Sequence, residues 1–513
     1  MANQQITHVF VVMLENRSFD SMFAMSGIKG ITAATTKNSN SYNGKTYYVQ
    51  SSAPLSLPTD PGHEFLDVVK QLGGQSAVWQ PGAPYPPIDN SGFVANYATT
   101  TDELTGLPPE QDWGDVMACF NTPTQLPVLY QLATEFALCD QWYSSLPGLT
   151  WPNRFFLHGA SSCGMDANPS NTRIVGWELD GFVYPNGSIY DALNKKKVIP
   201  YRFYSDFKDD RYRQSLFSDD PSKGSILGAV PQVTSLKGVS LLDIYSLGQF
   251  ASDLQGDYPY PYTFIEPHYG NVGDNTYEGG SSQHPMDNVY GGEHLLKAVY
   301  EAIRNSPYWD NSLLIITYDE HGGLYDSVAP GPATPPGDPP NPDYITYGFP
   351  FNLYGVRVPG ILVSPLIPKG MVDHTLYDHT SVLKTLEELC GLDPLTKRDA
   401  AANSVLKTLS CKIPRTDCPT TLNVPTPGFM AARPPMTAEK RAELAARPLP
   451  ESGNLVNTLR TLKKAEFELS ERTSAEIDAI HSNFKGIQTR GDAEEYAKSV
   501  WEKVRRAKEQ RKP

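Results

Sequence analysis

The stretch SLLIITYDEHGG at residues 312–323 decides how the chain folds. An apolar, largely β-branched run passes directly into Asp319, Glu320, His321, Gly322 and Gly323. A short apolar run without polar alternation fits a strand buried on both faces, and such strands belong to mostly parallel sheets covered by helices. HVFVVML at 8–14 and RVPGILVSP at 357–365 have the same character. Upstream of residue 312, the stretch Asn288 to Asn305 places Leu295, Leu296, Val299, Tyr300 and Ile303 at helical spacing, as a crossover helix between parallel strands requires. The expected class is therefore α/β. Ligands of such sheets bind beyond the carboxyl ends of the strands, so the residues that follow each run carry the chemistry.

After the first run come Glu15 and Asn16, a carboxylate beside an amide oxygen, a pair suited to a hard cation or simply to an exposed turn. After the second come Asp319 and Glu320. If Glu15, Asp319 and Glu320 converge, two unit charges about 4 Å apart cost about 4 kcal/mol at an effective dielectric near 20, so three ionised carboxylates need a cation. If they do not converge, they are ordinary surface carboxylates. Thr150, in GLTWPNR at 148–154, precedes Pro152 and a helical spacing, which puts it at or just before a helix N-terminus. Two roles are open to it there: an N-cap hydroxyl, or a nucleophile beside a cation and free backbone amides that receive an anion. His63, His268, His284 and His379 sit beside Pro, Gly or Asp in expected loops, where an imidazole can act as acid, base or phosphate-binding cation.

The 513 residues carry a formal charge of −14, which excludes sequence-independent nucleic-acid binding driven by phosphate neutralisation. No run of about 18 apolar residues is present, so no transmembrane segment is expected. The N-terminus reads as a first strand, not a secretion signal, and a cytoplasmic location is expected for the chain as given; a removed signal, or export without one, is compatible with it. Six cysteines without a Cys-x-x-Cys pair favour neither a zinc ribbon nor a redox site, and Cys411 with Cys418 is the pair to expect bridged in an oxidising compartment.

Segments 80–112 and 327–350, rich in Pro, Gly and Asp, read as loops or lids. Composition changes near residue 412. We divide the chain into a catalytic domain over 1–412, a proline-rich linker over 413–436 and a helical extension over 437–513, with Asp492 as an expected N-cap.

The motifs ENRSFDSMF at 15–23, DPGHEFLDV at 60–68, LPVLYQLATEFALCDQWYSSLPGLTWPNRFF at 126–156, HPMD at 284–287, YDEHGGLYD at 318–326 and YDHTSVLKTLEEL at 377–389 together resemble the phosphoesterase family of nonspecific phospholipases C and bacterial acid phosphatases. The resemblance spans roughly residues 6–410. It implies a doubly wound, alkaline-phosphatase-like sheet, one divalent metal held by Glu15, Asn16, Asp319 and Glu320, and Thr150 as nucleophile. It also implies His63, His284 and His268 in the phosphate pocket, with Asn153 counted among the substrate-binding residues. Two departures stand out: Ser327 follows Tyr325-Asp326 where relatives carry His, and Glu266-Pro267 is followed by His268.

The implied reaction is a two-step displacement through a phosphothreonine, with His284 as the acid and His63 as an electrostatic clamp. Oxygen donors point to Ca²⁺, Mg²⁺ or Mn²⁺, with Zn²⁺ also open. The expected substrate is a phospholipid cleaved to diacylglycerol and a phosphorylated headgroup. The alternatives are a soluble phosphate monoester, as in an acid phosphatase, and a non-catalytic binding protein on the same fold. Transient membrane contact would fall on the aromatic loop 79–97 or the basic end around Lys503 to Lys508, the latter being otherwise a solvated helix face.

Overall fold

The first apolar run forms strand β1 (His8–Leu14), and it lies inside the sheet, buried along its whole length. In the computed structural model, which describes residues 6–101, 108–109, 112–169, 177, 181–206, 231–270, 277–425, 437–450 and 454–511, eight strands make one main sheet. The others are β2 (Ala137–Cys139), β3 (Tyr201–Ser205), β4 (Ile244–Ser246), β5 (Tyr262–Glu266), β6 (Ser312–Tyr318), β7 (Gly360–Val363) and β8 (Met371–Asp373). Their order is β8-β2-β7-β6-β1-β5-β3-β4. Every pairing is parallel except those of β7, which runs against both β6 and β2. The fold is thus the expected α/β class with a mostly parallel sheet.

The antiparallel course of β7 corrects one expectation. Residues after the 357–365 run lie at the opposite edge, and it is Arg357, before the strand, that reaches the functional side. There Arg357 binds Asp326 at 2.8 Å and Asp20 at 3.3 Å.

Helix α1 (Phe65–Gly73) follows the DPGH loop, and α2 (Thr150–Gly159) carries the expected nucleophile. Helix α3 (Tyr290–Arg304) is the expected crossover, with Leu295, Leu296, Val299, Tyr300 and Ile303 buried. Helix α4 (Thr380–Cys390) follows His379. The 80–112 segment is not loop throughout: Phe93–Thr99 is helical, because Phe93, Val94 and Tyr97 find an apolar cluster to pack in. The parts at 102–107 and 110–111 lie outside the described residues.

Past residue 412 the chain stays attached to the core. Arg415 donates to the carbonyls of Glu135 and Ile367, Tyr300 to that of Pro419, and Arg304 to that of Cys418. The stretch 413–425 is therefore no free linker, while 426–436 lies outside the described residues. Cys411 and Cys418 are free thiols, not the expected bridge.

Helices α5 (Asn454–Leu469) and α6 (Arg490–Arg511) then pack beside edge strand β4, with Leu455, Leu459, Leu462, Val500, Trp501 and Val504 joined to the same apolar cluster as the sheet. The cap of α6 is Thr489, whose hydroxyl accepts from the Asp492 amide at 3.1 Å while Asp492 accepts from Thr489 at 2.9 Å. Asp492 is the reciprocal partner instead, because a hydroxyl reaches the N3 amide and the carboxylate reaches back. The basic end is tied inward: Lys503 binds Glu466 at 2.6 Å, Lys508 donates to the Ile244 carbonyl, and Arg505 and Arg506 pair with Glu509 and Glu502. Lys503, Arg505 and Arg506 stay exposed and are each paired with a carboxylate, as on a solvated helix face. No described helix is long and apolar enough to cross a membrane.

Because α5 and α6 cover apolar surface continuous with the sheet, deleting residues 437–513 is expected to lower the thermal midpoint by about 4 °C or more, each 1 kcal/mol shifting Tm by roughly 1 °C in a chain of this size. A calorimetric scan with an unchanged midpoint would show that these helices lie outside the cooperative unit.

Candidate active site

Register alone brings the acidic groups together. β1 and β6 pair in parallel from His8 with Ser312 to Leu14 with Tyr318, so the next residues, Glu15 and Asp319, leave the sheet side by side, and so do Asn16 and Glu320. Neighbouring strands lie about 4.8 Å apart, which places the acidic pair within strong repulsion. On the other side of β1, Val12 pairs with Ile265, and Glu266 ends β5 at the same level.

Close backbone approach holds this rim. Asn16 adopts a left-handed φ of 58°, and its amide donates to Asp319 Oδ1 at 3.1 Å. A Cβ on Gly322 would stand 2.3 Å from the Asn16 carbonyl oxygen, and one on Gly323 2.6 Å from that of Gly62. The Gly-Gly pair is therefore what lets the β6 end, the β1 end and the DPGH loop meet.

Arg154 is the cation of this rim. It is wholly buried, and it donates to Asp319 Oδ2 at 2.9 Å, to Glu266 Oε2 at 2.6 Å, and to the carbonyls of Met13 and Leu14 at 3.3 and 3.2 Å. One guanidinium thus spans β5, β1 and β6. It does not neutralise everything. Burial first, and then the charge of Asp319, push the Glu15 carboxyl above its ordinary range; burial also raises Asp319 against the pull of Arg154. Glu15 Oε2 and Asn16 Oδ1 are buried oxygens that accept no hydrogen bond. Excess negative charge plus unsatisfied buried oxygens fits a divalent cation held by Glu15, Asn16, Asp319 and Glu320.

Thr150 is the first residue of α2, and Leu149 is the N-cap, with no side chain capping the helix. The capping role for the Thr150 hydroxyl is thereby removed. Arg154 lies four residues on, on the same helical face and about 6 Å along the axis, so the face that meets Asp319 is also the face of Thr150. The amides of Trp151 and Asn153 are already donated, to Asn168 and to the Leu149 carbonyl, and Pro152 has none. The anion-receiving part expected of this helix terminus therefore passes largely to side chains. Asn153 is one residue the geometry moves: it is fully buried and its amide group bonds Leu146, Gly148 and Leu149, so it shapes the turn before Thr150 and does not face a substrate.

The histidines divide. His63 Nδ1 lies 2.7 Å from Glu320 Oε1, and its Nε2 lies 3.5 Å from Asp60 Oδ2. His284 Nε2 is 3.6 Å from the same Asp60 oxygen. The ligand atoms of Asp60, His63 and His284 all lie within 4.8 Å of one another, a spacing able to hold a metal ion. Burial disfavours a charge on His63, yet Glu320 and Asp60 outweigh it and raise His63 well above the ordinary value; burial likewise opposes Glu320's charge, but His63 holds that carboxyl low. His284 goes the other way. Burial lowers it to about 4 against the pull of Asp60, and its ring stacks on Tyr277 with centroids 3.4 Å apart. Arg17 fixes its backbone, donating to the carbonyls of Gln283 at 2.7 Å and His284 at 3.2 Å.

His268 sits on the turn after β5, its carbonyl accepting from Ser281 and its Nδ1 from the Gly270 amide. His379 Nε2 donates to the Asp319 carbonyl at 2.7 Å, and so it supports the backbone behind the acidic pair.

A model of the phosphoesterase family matches residues 6–393. The chain belongs to the phosphoesterase family. It is accordingly a phosphoric ester hydrolase. Among curated relatives, this phosphoesterase is 31% identical to the non-specific phospholipase C3 of Arabidopsis thaliana over 81% of this chain and 76% of that protein. It is 33% identical to the non-specific phospholipase C6 of the same plant, over 81% and 75%. Phospholipase C A of Mycobacterium tuberculosis is 26% identical over 75% and 73%. A solved protein in the alkaline phosphatase superfamily from Vibrio parahaemolyticus aligns with 54% of this chain and 64% of that chain, at 15% identity and a TM-score of 0.29.

Sequence reasoning missed Arg154, Glu266, Asp60 and Arg17 as working parts, although all four stood inside or beside quoted motifs. The signal for Arg154 was a lone cation in an otherwise apolar helix, between Asn153 and Phe155-Phe156, four residues from Thr150.

A carboxyl raised by folding stabilises the fold at low pH and loses that contribution as pH rises through its folded value. The metal-free phosphoesterase is therefore expected to lose stability as pH rises above the ordinary carboxyl range, and Ca²⁺, Mg²⁺ or Mn²⁺ to restore it, by about 2.7 kcal/mol at a hundredfold excess over Kd. Denaturant midpoints across pH, with and without each cation, check this; cation-independent midpoints would remove the metal from the acidic rim.

Proposed function

We propose that this phosphoesterase is a phospholipase C that hydrolyses a phospholipid to diacylglycerol and a phosphorylated headgroup through a phosphothreonine at Thr150. The observation that supports the reading is that Glu15, Asn16, Asp319 and Glu320 leave two paired strands at one rim, with buried oxygens on Glu15 and Asn16 that accept no hydrogen bond, while Arg154, one turn along α2 from Thr150, binds Asp319. Relatives named phospholipase C support the substrate class. A divalent cation bound by those four residues would offset their repulsion, acidify the Thr150 hydroxyl and withdraw charge from the phosphoryl oxygens. The oxygen donors suit Ca²⁺, Mg²⁺ or Mn²⁺, and the imidazoles of the Asp60 grouping keep Zn²⁺ in the comparison.

In the first step Thr150 Oγ1 attacks phosphorus in line, its hydroxyl proton passes to solvent water, and the bond from phosphorus to the glycerol oxygen breaks. The leaving alkoxide takes a proton. His284, first expected as that acid, is lowered by burial to about 4, so near neutral pH it is uncharged and a weak proton donor. His63, held cationic between Glu320 and Asp60, takes the acid's part, and His284 serves as a neutral partner that positions a phosphoryl or water proton. A cation held in part by Glu320 would draw that carboxylate's charge away from His63. In the second step water attacks phosphorus, neutral His63 accepts its proton, and Thr150 leaves as the alkoxide and takes a proton back from solvent water. His268 keeps the substrate-binding role given to it by its motif.

Thr150→Ala is expected to lower turnover of phosphatidylcholine by at least about 10³-fold while the protein stays folded, as loss of a nucleophile does. Acid quenching of the wild type during turnover of headgroup-labelled substrate should trap label on Thr150. Unchanged hydrolysis by the variant, or an unlabelled Thr150, would overturn the covalent route. Faster turnover of a soluble monoester than of phosphatidylcholine vesicles would move the assignment to a phosphatase.

A further inference from the structure

Beyond the end of α2 lies a cavity of about 280 Å³, close to the lower end of small-molecule sites at about 300–1,000 Å³. Its wall includes Ser161, Gly164, Asp338, Ile345, Phe349 and Phe351, with several prolines of the 335–351 segment, and no lysine, arginine or histidine among the described residues. Such a lining repels an anion and accepts an apolar chain.

The cavity is built firmly. Asp166 accepts the amides of Thr346, Tyr347 and Phe349. Phe351 adopts a left-handed φ of 56°, a strained conformation for a large side chain that persists only where its surroundings impose it. Arg398 imposes it, donating to the Phe351 carbonyl at 2.7 Å and to the Thr334 carbonyl. The same guanidinium donates to the Ser145 carbonyl at 3.1 Å, in the turn that leads to Thr150. A buried aromatic cluster ties the inner wall to the elements that carry His63 and Thr150: Phe349 packs on Phe65, two residues past His63, and Phe351 on Phe156 of α2. Leu146, just before Thr150, belongs to the same apolar cluster.

The length also fits. From Thr150 to Ser161 the helix and its exit span about 16 Å at 1.5 Å per residue. One leaflet of hydrocarbon, half of a bilayer core of about 30 Å, is about 15 Å deep. Of the lining residues, Ile345 is 39% exposed and so stands where the cavity meets solvent.

We infer that this cavity receives one acyl chain of the lipid substrate while the phosphate lies at Thr150. The inference rests on the phospholipase reading for its ligand, and its test is arranged to be separable from that reading. Dioctanoylglycerol, a neutral diacylglycerol, is the probe, and hydrolysis of p-nitrophenylphosphocholine is the readout. Dioctanoylglycerol should inhibit that hydrolysis, and Ile345→Trp, which fills the mouth, should weaken the inhibition about tenfold or more, as loss of a few buried methylenes does, without changing uninhibited turnover. Ile345→Asp, which adds charge without bulk, should act in the same direction and covers the case in which the tryptophan variant fails to fold. Equal inhibition of wild type and variants, or none in the wild type, overturns the acyl site. Inhibition relieved by the variants in an enzyme that leaves phosphatidylcholine vesicles intact would keep the acyl site and discard the phospholipase reading.

Discussion

The structure depends on one buried cation. Arg154 reaches the carboxyl ends of three adjacent strands, binding Asp319 after β6, Glu266 at the end of β5 and two carbonyls of β1. Charges buried away from water cost several kcal/mol each unless paired and hydrogen-bonded, and removing one partner of such a set typically costs about 3–5 kcal/mol. Arg154 is therefore as much a part of the sheet's rim as the strands themselves. Being fixed on α2, it also decides where the helix sits, and with it Thr150. Stability and catalytic geometry are in this way the same contact.

Arg154 balances two carboxylates and leaves the rest of the negative charge unbalanced on purpose of geometry: Glu15 stands beside Asp319, raised in pKa, with an oxygen that nothing satisfies. Next to this acidic rim the imidazoles separate into a cationic and a neutral member. His63 lies between two carboxylates, and His284 is stacked on Tyr277 and backed by Arg17. Two histidines of the same intrinsic basicity are driven apart by what surrounds them, which is how one site holds a proton donor and an acceptor at one pH.

A second guanidinium, Arg398, does for the periphery what Arg154 does for the centre. It joins the 335–351 segment, the turn before Thr150 and Asp378 at 3.1 Å, which neighbours His379 beneath Asp319. The aromatic cluster between them is buried and ties the outer loop to the turn before Thr150. The docked helices α5 and α6 cover the far edge of the sheet, away from this rim.

The sequence by itself determined the class of fold and the residues that leave β1 and β6 at the functional edge, because apolar runs and the acidic pairs that end them are local patterns. It also determined α3, whose spacing is helical whatever it packs against. Only the tertiary structure decided that β7 runs backwards, that 93–99 is helical, that Asn153 faces its own turn, and that 413–425 is docked. The same holds for the proton states of His63 and His284, and for the place of Arg154 between Asp319 and Glu266. These outcomes depend on burial and on charges brought together from distant positions, and neither burial nor long-range proximity is written in a window of neighbouring residues.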